Sequence, residues 1–281
     1  MKYNVAQDLK IISQYLSFSY EQLAEQIGIR AETISRIINC EIEPSNESLE
    51  KIYDYIFHQG INLNQTKIEY YQKNHDVVLF HGSKDEIIGD LSLDYSRSHV
   101  DFGPGFYVGD NYQQSLDFVC QTKNGSIYVL DVKYKDLKVV ELDLSLEWML
   151  LIAINRGKLE KYNNSSLYKQ IIKKYSEFDV IIAPIADNRM FTTIEDFARS
   201  AITSEQAIHA LKDLSLGKQI VFKSQKALRN ISILERLFVS KAEKEIAKKE
   251  KIQKILDSDN YINDAYEKYI RQGQYIGEIF K

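Results

Sequence analysis

A chain of 281 residues has room for one large or two ordinary domains, and 44% hydrophobic with 27% charged residues is the balance of a chain that buries a core. No apolar run approaches the eighteen or so residues of a membrane helix, and Met1-Lys2-Tyr3-Asn4-Val5-Ala6-Gln7-Asp8 carries no secretory segment, so a cytoplasmic protein with no membrane partner is expected. Cys40 and Cys120 lie outside any CxxC and the five histidines lack ligand spacing, so neither a disulfide framework nor a metal is expected; a net charge of −4 exerts no overall pull on nucleic acid.

The first sixty residues read as short helices between polar breaks. Leu9 to Leu16 has apolar positions at helical spacing. Ser19 is placed to cap a helix over Tyr20 to Ile27, with Gln22 completing a capping box and Gly28 ending it as a C′ glycine. Arg30 to Asn39 forms the next helix, with Ile34, Ile37 and Ile38 inward, and Pro44-Ser45-Asn46 starts a fourth through Leu49, Ile52, Tyr53 and Ile56. After the polar break Gln59-Gly60-Ile61-Asn62-Leu63-Asn64, residues 65–76 link this helical part to a strand-rich one, with Lys67-Ile68-Glu69-Tyr70-Tyr71 open to a short helix or a strand.

Val77-Val78-Leu79-Phe80 is a buried strand that delivers His81-Gly82-Ser83 at its C-terminal end. Phe102-Gly103-Pro104-Gly105 is a constrained turn before strand-like Phe106-Tyr107-Val108. Asn111 to Cys120 reads as a helix, Ser126 to Val132 and Leu137 to Leu142 as strands, and Leu146 to Asn155 as an apolar helix carrying Trp148. Asp179 to Pro184 is a strand, Ser204 caps a helix from Glu205 to Leu214, and Gln219-Ile220-Val221-Phe222-Lys223 is the last strand. Residues 229–281 form a helical extension: a charged helix over Glu235 to Ile255, its opposite charges three or four apart, then one over Tyr261 to Ile270. Gly103-Pro104-Gly105 is neither a P-loop nor a dinucleotide fingerprint, and Ser83 has no GxSxG setting.

Gln22-Leu23-Ala24-Glu25-Gln26-Ile27-Gly28-Ile29 followed by Thr33-Ile34-Ser35-Arg36-Ile37 resembles the phage-repressor-like helix-turn-helix family. That resemblance implies a recognition helix over Arg30 to Asn39, with Arg30, Thr33, Ser35, Arg36 and Asn39 on DNA bases or phosphates. Against it, residues 1–64 carry five Lys/Arg (Lys2, Lys10, Arg30, Arg36, Lys51) and nine Asp/Glu, few cations for phosphate contacts. The competing reading is a small helical domain that docks an antitoxin or dimerises.

His81-Gly82, Gly103-x-Gly105-Phe106-Tyr107 and a late strand after Gly217 resemble the H-Y-E branch of the ADP-ribosyltransferases, related to diphtheria toxin and the poly-ADP-ribose polymerases. Leu79 to Ser83, Ser96-Arg97 with Asp101 to Tyr107, Pro184 to Phe191 and Gln219 to Lys223 are similar to the DUF3990 family, which is regarded as ADP-ribosyltransferase-like. The implied fold class is α+β: an all-α helix-turn-helix domain over 1–64, a linker over 65–76, and a split-sheet ADP-ribosyltransferase-like domain over 77–228 before the helical extension. The implied co-substrate is NAD⁺ and the implied partner a macromolecular acceptor, protein or nucleic acid.

By that resemblance, His81 bonds an adenosine-side ribose hydroxyl and the Gly82 backbone holds the nicotinamide carboxamide. Tyr107 stacks on the nicotinamide ring, with Ser83, Gly105 and Phe106 lining the cofactor pocket. Arg97 is the candidate for the pyrophosphate, because a guanidinium matches phosphate geometry. Asp187 and Arg189 either line the cleft or form an ion pair. The chain departs from the pattern at the third signature position, where Gln219 replaces the glutamate and supplies neither charge nor a general base. Glu205 is the substitute carboxylate, or else an ordinary first-turn acid favoured by the helix dipole. The function expected is an NAD-dependent ADP-ribosyltransferase of toxin or phage-defence type. The alternative is a DNA-binding regulator that has lost catalysis through Gln219 and only binds NAD⁺.

Overall fold

The computed structural model describes residues 1–93, 99–186, 188–212 and 217–281, without the side chains of 188 and 257–260. In chain order the helices α1 (Val5–Leu16), α2 (Tyr20–Ile27), α3 (Ala31–Ile38), α4 (Asn46–His58) and α5 (Leu63–Asn74) come first. Next come β1 (Val78–Ser83), β2 (Phe106–Gly109), α6 (Tyr112–Val119), β3 (Ser126–Val132), β4 (Val139–Glu141), α7 (Leu146–Asn155) and α8 (Ser166–Ser176). The rest is β5 (Val180–Pro184), α9 (Asn188–Ala198), α10 (Ser204–Lys212), β6 (Lys218–Phe222), α11 (Gln225–Leu228), β7 (Ile231–Phe238), α12 (Lys241–Lys268) and α13 (Ile276–Ile279). The chain is thus mixed α/β with a helical N-terminal region. Among the described residues no helix is long and apolar enough to cross a membrane.

Two compact units share the chain: residues 1–89, 112–132 and 232–251 form the first, and 90–111, 133–231 and 252–281 the second. Strand pairing joins distant segments within each unit. β1, β3 and β7 are neighbours in that order in the first unit.

In the first unit, α1 to α4 close on a core of Leu9, Ile12, Leu23, Ile34, Ile37, Leu49 and Ile52. The capping box expected for α2 is present: Gln22 N donates to Ser19 Oγ at 3.2 Å and Ser19 N donates to Gln22 Oε1 at 2.8 Å. Gly28 ends the helix at φ 73°, where a side chain would be strained. Residues 63–74, largely within the expected linker, form α5, whose Leu63 and Ile68 are buried. Lys67 on α5 sits between two carboxylates, Asp8 Oδ1 at 2.6 Å and Glu235 Oε1 at 2.7 Å. Tyr53 Oη donates to Asp8 at 2.5 Å and Tyr71 Oη to Glu235 at 2.9 Å. Burial pushes the Asp8 carboxyl above its usual range despite the ammonium beside it.

The sequence pattern puts the last strand at residues 219–223 and the start of the charged helix at Glu235; the structure corrects both. Residues 231–238 are β7, and the long helix starts at Lys241 and runs unbroken to Lys268. The difference lies in Glu235 and Arg236, which look like surface helix charges but are buried and paired. Arg236 Nε donates to Ser126 Oγ at 3.1 Å, its guanidinium lies 2.9 Å from Glu86, and it covers the Tyr3 ring at 4.2 Å.

The second unit pairs β4-β5-β6-β2 in that order, β4 with β5 parallel and the others antiparallel. α7 is buried all round from Trp148 to Ile154, as expected of a helix with no polar face. Its core includes Phe102, Ile171, Tyr175, Ile181, Ile194, Phe197 and Val221. The helices α8 and α9 are additions to the elements expected from sequence.

Candidate functional site

Strand register decides which signature residues meet. In β2 and β6, Tyr107 stands opposite Val221 and Gly109 opposite Gln219. Opposite residues of an antiparallel pair share a face, as do residues two apart, so Tyr107 and Gln219 project from the same side. Gly105 permits the close approach of β6 just before this register: a Cβ there would lie 2.5 Å from a Val221 methyl and 3.0 Å from the Phe222 carbonyl.

Tyr107 is held by its hydroxyl, which donates to the Gly103 carbonyl at 2.6 Å and accepts from the Phe102 N–H at 3.1 Å. The 102–103 turn and the ring therefore fix one another, and Gly103 adopts the φ of 74° that the turn requires. Burial holds the Tyr107 phenol well above its ordinary value, so it stays neutral.

Gln219 belongs to a polar cluster that the sequence pattern does not reveal. Its Nε2 donates to Asp101 Oδ2 at 2.9 Å and to the Pro184 carbonyl at 3.3 Å. Asp101 is 6% exposed, and its other oxygen takes both Arg156 Nε at 2.8 Å and a terminal guanidinium nitrogen at 2.6 Å. Arg156 follows the last residue of α7 and lies over the Phe191 ring at 4.2 Å. No local signal announces the cluster, since its members are joined across separations of 118 and 55 residues.

Glu205 lies in the first turn of α10 at 43% side-chain exposure, 3.5 Å from His209, whose ring stacks on Tyr269 at 3.6 Å. The dipole-favoured first-turn acid is what this placement matches. Arg189 is in the first turn of α9, its guanidinium 3.5 Å from the Lys254 carbonyl. Arg97 and Asp187 lie outside the described residues.

His81, Gly82 and Ser83 are consecutive in β1 of the first unit, paired with Tyr128, Ile127 and Ser126 of β3. The His81 and Tyr128 rings are 6.4 Å apart. Gly82 has a packing reason as well as the chemical one inferred from sequence, because a Cβ would lie 2.9 Å from the Ser115 carbonyl and 3.1 Å from Val119 of α6. Gly82→Ala should therefore destabilise by about 1–3 kcal/mol through overpacking against backbone that cannot swing aside. Denaturant unfolding checks it, and a variant as stable as the wild type would contradict this packing.

On α3 and at its two caps, Arg30 and Asn39, the residues Arg30, Ser35, Arg36 and Asn39 are exposed and Thr33 is half-buried, with Arg36 3.5 Å from Glu41.

The model of the family described as Protein of unknown function (DUF3990) matches residues 77–233. The chain belongs to this family. No curated protein and no solved structure matches the chain. The DUF3990 match takes in β1 with His81, β2 with Tyr107 and β6 with Gln219, and it leaves α1 to α5 and all of α12 outside.

Proposed function

We propose that this DUF3990 protein is an ADP-ribosyltransferase of the H-Y-E type, acting on NAD⁺ and a macromolecular acceptor. The observation that carries the reading is the shared face of Tyr107 and Gln219 on paired strands, the tyrosine and third signature positions of that pattern. In the step, the bond between nicotinamide nitrogen and ribose C1″ breaks and its electron pair leaves with nicotinamide, now neutral. A lone pair of the acceptor forms the new bond to C1″, and the acceptor's proton passes to solvent. The intervening charge is oxocarbenium-like, so acceptors fixed in place are the available leverage. The Tyr107 ring, anchored by its hydroxyl, offers a rigid surface for the nicotinamide. His81, by resemblance, takes a ribose hydroxyl.

Labelled NAD⁺ with cell lysate tests the activity. The wild type should transfer label to a macromolecule, and His81→Ala and Tyr107→Ala should each reduce transfer by at least roughly tenfold, the loss of about 1.4 kcal/mol of transition-state stabilisation. No nicotinamide release by the wild type would sink the proposal. NAD⁺ binding without consumption, together with sequence-selective DNA binding, would favour the regulator. That second reading draws on the exposed Ser35 and Arg36 of α3 and its caps Arg30 and Asn39, which come after a capped helix and a glycine turn as in a helix-turn-helix.

A further inference from the structure

The chain has an amide where the proposed reaction calls for a carboxylate, yet a buried carboxylate lies beside that amide. We infer that Asp101 is the positioning residue of this site: it carries the negative charge that position 219 lacks and fixes which end of the Gln219 amide faces outward. The inference rests on the proposed transferase reading.

Gln219 Nε2 is aimed at two groups that only accept, the Asp101 carboxylate and the Pro184 carbonyl. Turning the amide over would set its oxygen against both of them, so the arrangement admits one orientation. Both Nε2 hydrogens are thereby used. Oε1 takes no hydrogen bond among the described residues, which leaves it as the acceptor for a ribose hydroxyl. Asp101 is itself held by Arg156, two of whose guanidinium nitrogens, Nε and Nη2, converge on its Oδ1. The cluster thus keeps one half of a glutamate's role, the fixed acceptor, while its charge stands one residue deeper.

The same geometry explains why position 219 is not glutamate. A carboxylate there would come within hydrogen-bonding distance of Asp101, and two such groups cannot both stay ionised in one site. Among the described residues, Arg156 faces the pair as a cation and the Tyr107 phenol lies beside it, and one guanidinium already engaged with Asp101 cannot neutralise two charges. Restoring the family residue alone should therefore harm the protein, and exchanging amide and carboxylate between the two positions should repair it in part.

The test compares wild type, Gln219→Glu, Asp101→Asn and the double variant Asp101→Asn/Gln219→Glu. Two readouts are taken: melting temperature between pH 5 and 8, which uses no NAD⁺, and nicotinamide release. Gln219→Glu should melt roughly 5 °C below wild type at pH 8, with the gap closing towards pH 5 as the pair takes up a proton. It should release nicotinamide at least tenfold more slowly, chiefly in kcat. The double variant, with an amide now donating to a carboxylate across the same gap, should recover part of the lost melting temperature and turnover, because an acceptor still faces the Pro184 carbonyl and Arg156 loses its carboxylate. Asp101→Asn alone should fold and bind NAD⁺ but turn over slowly. If Gln219→Glu is too unstable at pH 8, its preparation at pH 5.5 retains the comparison.

Equal melting of Gln219→Glu and wild type at pH 8 overturns the inference, as does a double variant no better than Gln219→Glu. Either result with an active wild type leaves the transferase reading standing and removes only the role of Asp101. A wild type that releases no nicotinamide overturns both.

Discussion

Replacing Lys67 by methionine should cost about 3–5 kcal/mol, because it leaves Asp8 and Glu235 buried without their shared cation. Both carboxylates retain a tyrosine donor, Tyr53 and Tyr71 respectively, but a phenol supplies no compensating charge. The loss should depend on pH in a defined sense. Burial already raises the Asp8 carboxyl in the folded protein, and removing the ammonium raises it further. An acid whose pKa is higher folded than unfolded is destabilising when ionised. Its penalty is small while both states are protonated and grows as pH rises from the unfolded value through the folded one. Lys67→Met should thus lie closer to wild type at pH 4.5 than at pH 8. Denaturant melts at the two values measure this, and a loss below about 1 kcal/mol at pH 8 would contradict a charge-compensating role for Lys67.

Trp148→Ala should destabilise by about 3–5 kcal/mol, as truncation of a fully buried aromatic generally does. The indole also donates to the Pro184 carbonyl at 3.3 Å, the same oxygen that receives Gln219 Nε2. The substitution therefore removes a partner next to the candidate site as well as opening a cavity. Trp148→Phe keeps most of the volume and should cost clearly less. Equal losses for the two would mean that the hydrogen bond, and not the packing, dominates. Calorimetry or denaturant unfolding of both variants separates the cases.

Features that rest on contacts a few residues apart are legible in the chain. The capping box Ser19/Gln22, the stop at Gly28 and the buried α7 arise from hydroxyls, a missing Cβ and an unbroken apolar run, all within one or two turns. The β1, β2, β3, β5 and β6 strands show themselves as β-branched and aromatic runs between polar breaks. β7 does not, because its Glu235 and Arg236 find partners from α5 and β3 and so can be buried. α5 shows only in part, as Lys67 to Tyr71, which reads equally as short helix or strand, since it is largely polar and depends on Leu63, Ile68 and the Lys67 bridge for its place.

The same division runs through the candidate site. His81, Tyr107 and Gln219 can be picked from an ordered set of short motifs, and the glutamine at position 219, where the resemblance leads one to expect a glutamate, is visible in the sequence. What that replacement means is decided by tertiary structure, which brings Asp101 and Arg156 to Gln219 and points the amide nitrogen inward. Short motifs record the demands of backbone and ligand on adjacent residues. The neighbours that a side chain meets across a sheet depend on register and on how distant segments pack, and no single segment encodes them.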